Sequence, residues 1–140
     1  MNHNGHVCEW KDHCCVSHVM WHPAYEDKNY CTVRALALAF DLSRVKAYLH
    51  LQRHGRRHGK GPKWHQYRAA VKAMCKAKGR KMILEDILDY GKTVLTAQRS
   101  AANETVIFNV RGHTLAVVDG YTNDWADQRR NRITSIWRIA

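Results

Sequence analysis

The chain lacks long apolar runs: no stretch approaches the ~20 residues that crossing a bilayer needs. The N-terminus, Met1-Asn2-His3-Asn4-Gly5-His6, lacks the apolar core of an export signal. These two absences lead us to expect a cytoplasmic protein without membrane contact. A paired cysteine framework is missing as well. The five cysteines, Cys8, Cys14, Cys15, Cys31 and Cys75, are odd in number and irregular in spacing. A disulfide scaffold is therefore the wrong reading, and free thiols, metal ligands or one nucleophile remain. Internal repeats and low-complexity tracts are absent too. The most informative absence is local: no Asp or Glu occurs from Leu42 to Leu84, whereas 13 of the 23 Lys and Arg residues do. The rest of the chain holds 10 basic and 12 acidic residues, so the net charge of +11 is a patch rather than a uniform bias. Such a patch points to an acidic partner, either nucleic acid or an acidic host-protein surface.

What is present suits one domain, 140 residues with 45% apolar content. Residues 1–26 form a His- and Cys-rich arm without a clear period. From Cys31, Val33, Leu36, Ala37 and Phe40 fall on one helical face. Asp41 is expected to cap a second helix with Val45, Tyr48 and Leu49 inward and Gly55 as its stop. Residues 55–63 read as a basic Gly-rich loop. A third helix follows from Trp64 to Lys78, with Tyr67, Ala70, Val71 and Met74 inside. Residues 80–92 are ambiguous between strand and helix, and a short helix is expected over Thr93–Ala102. The period then changes to two. Val106, Phe108 and Val110 alternate with polar neighbours, Thr114–Val118 forms a second strand, and Asp119-Gly120 is a hairpin signal. Tyr121–Trp125 returns, and Arg132–Ile139 closes the sheet. Helices first, then an antiparallel meander, define an α+β layout spanning 29–80 and 104–139.

This layout permits thiol chemistry. A thiol attacks as its thiolate, and a free thiol, with a pKa of ~8.5, carries little of that form at neutral pH. A helix N-terminus favours the anion, and Cys31 is placed there. Cys75 sits near the wrong end of a helix. Nine of the ten histidines lie before residue 66; His113 alone stands at the mouth of the sheet, where it can serve as general base. If Asp119-Gly120 is a two-residue turn, strand alternation puts Asp124 on the face of His113, diagonal to it. Asp124 is thus the expected orienter of the imidazole. Nucleophile on an N-terminal helix, base at a strand start and acid on the following strand form the expected catalytic set: Cys31, His113, Asp124.

Three segments resemble a group of small papain-like cysteine peptidase proteins of tailed bacteriophages and their hosts. They are Cys31-Thr32-Val33-Arg34-Ala35-Leu36-Ala37, Gly55-Arg56-Arg57 with Gly59-Lys60-Gly61, and Gly112-His113-Thr114-Leu115-Ala116-Val117-Val118-Asp119-Gly120 with Asp124. Their spacing is also similar to that of the bacteriocin-processing double-glycine peptidases. The resemblance covers residues 29–139. It implies a papain-like fold and a phage-encoded peptidase, isopeptidase or deamidase acting on protein in the host cytoplasm. One element of the pattern is missing: no Gln precedes Cys31. Asn29 or the Cys31 backbone N–H is the candidate oxyanion donor, and loss of one such donor typically costs ~10²–10³ in rate. The alternative is an inactive papain-like fold that binds nucleic acid or a host protein through Arg53, Arg56, Arg57, Lys60, Lys63 and Arg68. No cofactor is expected, with a structural zinc in the N-terminal arm as the lesser alternative. Cys8, His13, Cys14 and His18 are zinc-ligand types, but their spacing fits no familiar finger or ribbon.

Overall fold

The computed structural model describes residues 22–122 and 132–140. After a short 3₁₀ turn at Pro23–Glu26, helix α1 (Cys31–Phe40) buries residues on nearly every side: Thr32, Val33, Ala35, Leu36, Ala37, Ala39 and Phe40. Its three buried alanines leave room for close neighbours. Helices α2 (Arg44–Arg53) and α3 (Trp64–Ala77) pack beside it. The capping of α2 differs from expectation. Asp41 ends α1 in the left-handed region at φ 57°, its N–H donating to the Ala37 and Leu38 carbonyls, and Ser43 caps α2 by accepting from Lys46 N–H at 3.2 Å. Asp tolerates the left-handed conformation better than most residues. That leaves the serine two residues on to satisfy the new helix.

The ambiguous segment contains both structures, strand β1 (Met82–Glu85) and a single turn, α4 (Ile87–Tyr90), before α5 (Val94–Ser100). Strands β2 (Thr105–Val110), β3 (His113–Val118) and β4 (Ile133–Ile139) complete a four-stranded antiparallel sheet in the order β1-β4-β2-β3. This α+β arrangement corrects the expected meander. β4 does not line up outside the β2–β3 hairpin; it inserts between β1 and β2. The reason is that β4 is apolar on both faces, the mark of a central strand. Ile136 packs into one cluster with Val94, Ala97, Phe108 and Leu115, while Trp137 packs into the other with Leu36, Val71 and Ile107. The sheet is therefore covered twice, by α1–α3 on one face and by α4 and α5 on the other. Trp137 is 1% exposed, and truncating so buried an aromatic side chain typically costs about 3–5 kcal/mol. Among the described residues β3 is the last strand of the sheet, with α1 packed on it. Among the described residues no helix is long and apolar enough to cross a membrane.

Candidate active site

Cys31 is the first residue of α1 and is half-buried. Tyr30, the N-cap, supplies no side-chain hydrogen bond to the helix start, so the first-turn N–H groups are not taken up by its side chain. The Tyr30 ring is itself held: the Arg44 guanidinium lies 4.4 Å and that of Arg34 4.8 Å from its centroid, and Arg34 Nη2 donates to the Tyr30 hydroxyl at 2.7 Å.

His113 is the first residue of β3. It pairs with Val110 across a turn whose Gly112 has φ +73°, a conformation that favours glycine. Strict alternation would put His113 with Leu115 and Val117, on the face beneath α5. Its side chain nevertheless hydrogen-bonds Cys31, on the helix covering the other face. Burial pushes the Cys31 thiol up, but the hydrogen bond and positive charge of His113 and the backbone N–H groups of Thr114 and Thr32 outweigh it. The thiol is left below its ordinary value. The fold thus brings together a thiol and an imidazole 82 positions apart in the chain.

Behind the pair runs a buried polar chain that residue patterning did not reveal. Thr114 Oγ1 donates to Asn109 Oδ1 at 2.9 Å, and Asn109 Nδ2 donates to Ser135 Oγ at 3.1 Å. With its one proton so used, Thr114 accepts from the Tyr67 hydroxyl at 3.0 Å. Burial holds the Tyr67 hydroxyl far above its ordinary pKa; the Thr114 bond opposes this, and the nearby Cys31 charge adds to it. Tyr67 therefore stays a donor. Its inward position was legible from helical period, but its hydroxyl partner was not.

The segment before Cys31 is anchored by a second feature missed in the sequence. Asp27 is 2% exposed and pairs with Arg56 at 2.7 Å. It also accepts the Asn29 N–H at 3.1 Å and the Gly59 N–H at 3.2 Å. Arg56 Nη2 donates to the Asn29 carbonyl at 2.6 Å. Burial pushes the Asp27 carboxyl up, but its bonds to Arg56, Gly59 and Asn29 prevail and hold it low. This corrects the surface set. Arg56, 3% exposed, is an interior ion-pair partner and cannot meet a partner at the surface. Its carboxylate lies outside the acid-free stretch, so a count within that stretch could not find it. Arg53, Arg57, Lys60, Lys63 and Arg68 are exposed.

Asn29 is exposed, two positions before Cys31, with its backbone fixed from both sides. Asp124 lies outside the described residues. The turn on which its choice depended is formed: Asp119 and Gly120 have φ 51° and 81°, and Val118 and Tyr121 exchange both backbone hydrogen bonds. Cys8, His13, Cys14 and His18 also lie outside the described residues. Among those described, no group of three or more His, Cys, Asp or Glu is arranged to hold a metal. Comparison with protein-family models, curated proteins and solved structures gives no match.

Proposed function

We propose that the chain is a papain-type cysteine hydrolase, phage-encoded and cytoplasmic, acting on a protein substrate as a peptidase, isopeptidase or deamidase. The observation that carries this reading is the Cys31–His113 hydrogen bond at the start of α1, with the thiol held below its ordinary value. The Cys31 thiolate attacks an acyl carbonyl carbon, and the carbonyl π electrons move to oxygen. The Cys31 backbone N–H and the Asn29 side chain are the candidates to receive that oxyanion. Collapse breaks the bond to the leaving amine, which takes its proton from the His113 imidazolium. Water then attacks the thioester while His113 takes its proton, releasing the acid and restoring the thiolate. Asp124 is assigned to orient His113.

The test is acyl transfer from p-nitrophenyl acetate. We expect a burst of one nitrophenolate per protein, with the acetyl group on Cys31, lost in Cys31→Ala and in His113→Ala. Acetylation spread over lysines without a burst would reject the reading. A second reading rests on the exposed cations Arg53, Arg57, Lys60, Lys63 and Arg68: an inactive fold that binds nucleic acid or an acidic host protein. It expects salt-sensitive binding indifferent to Cys31→Ala.

A further inference from the structure

We infer that the basic loop 55–63 is the substrate-binding edge of the Cys31 site, selecting acyl donors with carboxylate side chains a few residues from the bond attacked. The inference rests on the hydrolase reading. Its basis is where the loop is tied. Arg56 grips the Asn29 carbonyl at 2.6 Å and the Asp27 carboxylate at 2.7 Å, and Gly59 N–H reaches the same carboxylate at 3.2 Å. Asn29 and Asp27 stand two and four positions before Cys31. The clasp holds a Gly-rich segment that would otherwise keep its conformational freedom, and fixes it beside the approach to Cys31.

The clasp turns Arg56 inward and leaves Arg57 and Lys60, the residues that follow its two tied positions, exposed. Their backbone is tied, through Arg56 and Gly59, to residues two and four positions before Cys31, and about six residues of extended peptide span roughly 20 Å at ~3.3 Å each. Arginine and lysine side chains reach back over part of that span. Asp27, the acid lying against the loop, is already taken by Arg56, and residues 42–84 supply no other. Among the described residues no carboxylate pairs with Arg57 or Lys60, so a carboxylate brought by the substrate would meet cations that those residues leave unneutralised.

A peptide fits this surface better than a nucleic acid. Stacking platforms for bases need free aromatic faces. The large aromatic at this end of α3, Trp64, is 52% exposed but leans on Trp137 with ring centroids 5.0 Å apart. Tyr67, one turn on, is buried.

The test uses two peptide vinyl sulfones, identical except for Glu or Lys at the second to fourth residues from the reactive group. The Cys31 sulfur bonds to the β-carbon, and the alkene electron pair takes a proton at the α-carbon. Labelling is followed by intact mass and peptide mapping. At low salt we expect the Glu probe to label Cys31 about tenfold faster than the Lys probe. The gap should shrink in about 0.5 M salt and close in the double variant R57Q/K60Q, checked by circular dichroism for an unchanged fold. Equal rates for the two probes, or a gap that survives R57Q/K60Q, would overturn the loop assignment while leaving the hydrolase reading in place. Failure of both probes to label Cys31 would reject the hydrolase reading and this inference with it. If the probes label equally while a short oligonucleotide binds Cys31→Ala in a salt-sensitive manner that R57Q/K60Q abolishes, the loop is a nucleic-acid site and the inference is overturned.

Discussion

Replacing Arg56 with Met should unfold the approach to Cys31 more than any surface charge change. The substitution keeps an apolar side chain of similar reach but removes the guanidinium from Asp27 and from the Asn29 carbonyl. Asp27 would retain the Gly59 and Asn29 N–H groups, with the His58 Nδ1 at 3.6 Å, and lose its guanidinium counter-charge, at a site where both side chains of the ion pair are 1% exposed. Removing one partner of a buried ion pair typically costs about 3–5 kcal/mol. For a domain of this size, about 3–5 °C per kcal/mol translates this into a melting temperature lower by roughly 10–20 °C. Asp27→Asn should cost a similar amount, because it strands Arg56. The double variant D27N/R56M should cost less than the sum of the singles by about 2–3 kcal/mol, since neither charge is then left alone. The pH response has a definite sign. The Asp27 carboxyl is held low in the folded chain, so its stabilisation is present above the ordinary carboxylate pKa of ~3.9 and is lost as pH falls below it. In Arg56→Met the carboxyl loses the side-chain bond that does most to hold it low, so it takes up a proton at higher pH than in the parent, and the gap between the two proteins should narrow in acid. Urea and thermal denaturation followed by circular dichroism, near neutral pH and in acid, measure all of this. Single-variant costs below about 1 kcal/mol that simply add would refute the anchoring role.

Three further outcomes follow from the same geometry. Tyr67→Phe removes the donor to Thr114 and should lower stability by about 1–2 kcal/mol in urea denaturation; an unchanged midpoint would mean the buried chain contributes nothing. Gly91→Ala should cost more than Gly59→Ala in thermal melts. Both have positive φ, +114° and +77°, but a Cβ on Gly91 meets Thr96 Oγ1 at 2.5 Å while that on Gly59 meets nothing within 4 Å. Cys75 is buried and its thiol is pushed up by that burial, with Arg80 opposing, so peptide mapping should find it unmodified by iodoacetamide until the chain unfolds.

The parts legible in the sequence are those set by local pattern. The apolar period beginning at Cys31 gives α1 its start, Gly112 gives β3 its start at His113, and Asp119-Gly120 forms the expected turn. α3 also begins at Trp64, as its period predicts. What escaped depends on partners distant in sequence. A meander makes Arg132–Ile139 the last strand of the sheet, yet β4, with Ile136 and Trp137 packed into opposite clusters, lies between β1 and β2. Asp27 and Arg56 lie 29 positions apart, and Tyr67 and Thr114 lie 47 apart; no periodicity links them. A polar residue on a buried face signals that a partner exists without naming it. Arg56 misled for the same reason: among neighbouring surface cations, nothing local marks the one that turns inward.

The central claim is that His113 charges the Cys31 thiol. The rate of iodoacetamide alkylation at Cys31, followed by peptide mapping as a function of pH in the parent protein and in His113→Ala, tests it most directly. We expect half-maximal reactivity in the parent below the ordinary thiol pKa of ~8.5, and in His113→Ala a midpoint moved above that value, because burial then acts with only the two backbone N–H groups against it. A parent midpoint at or above the ordinary value, or the same profile in both proteins, would contradict it.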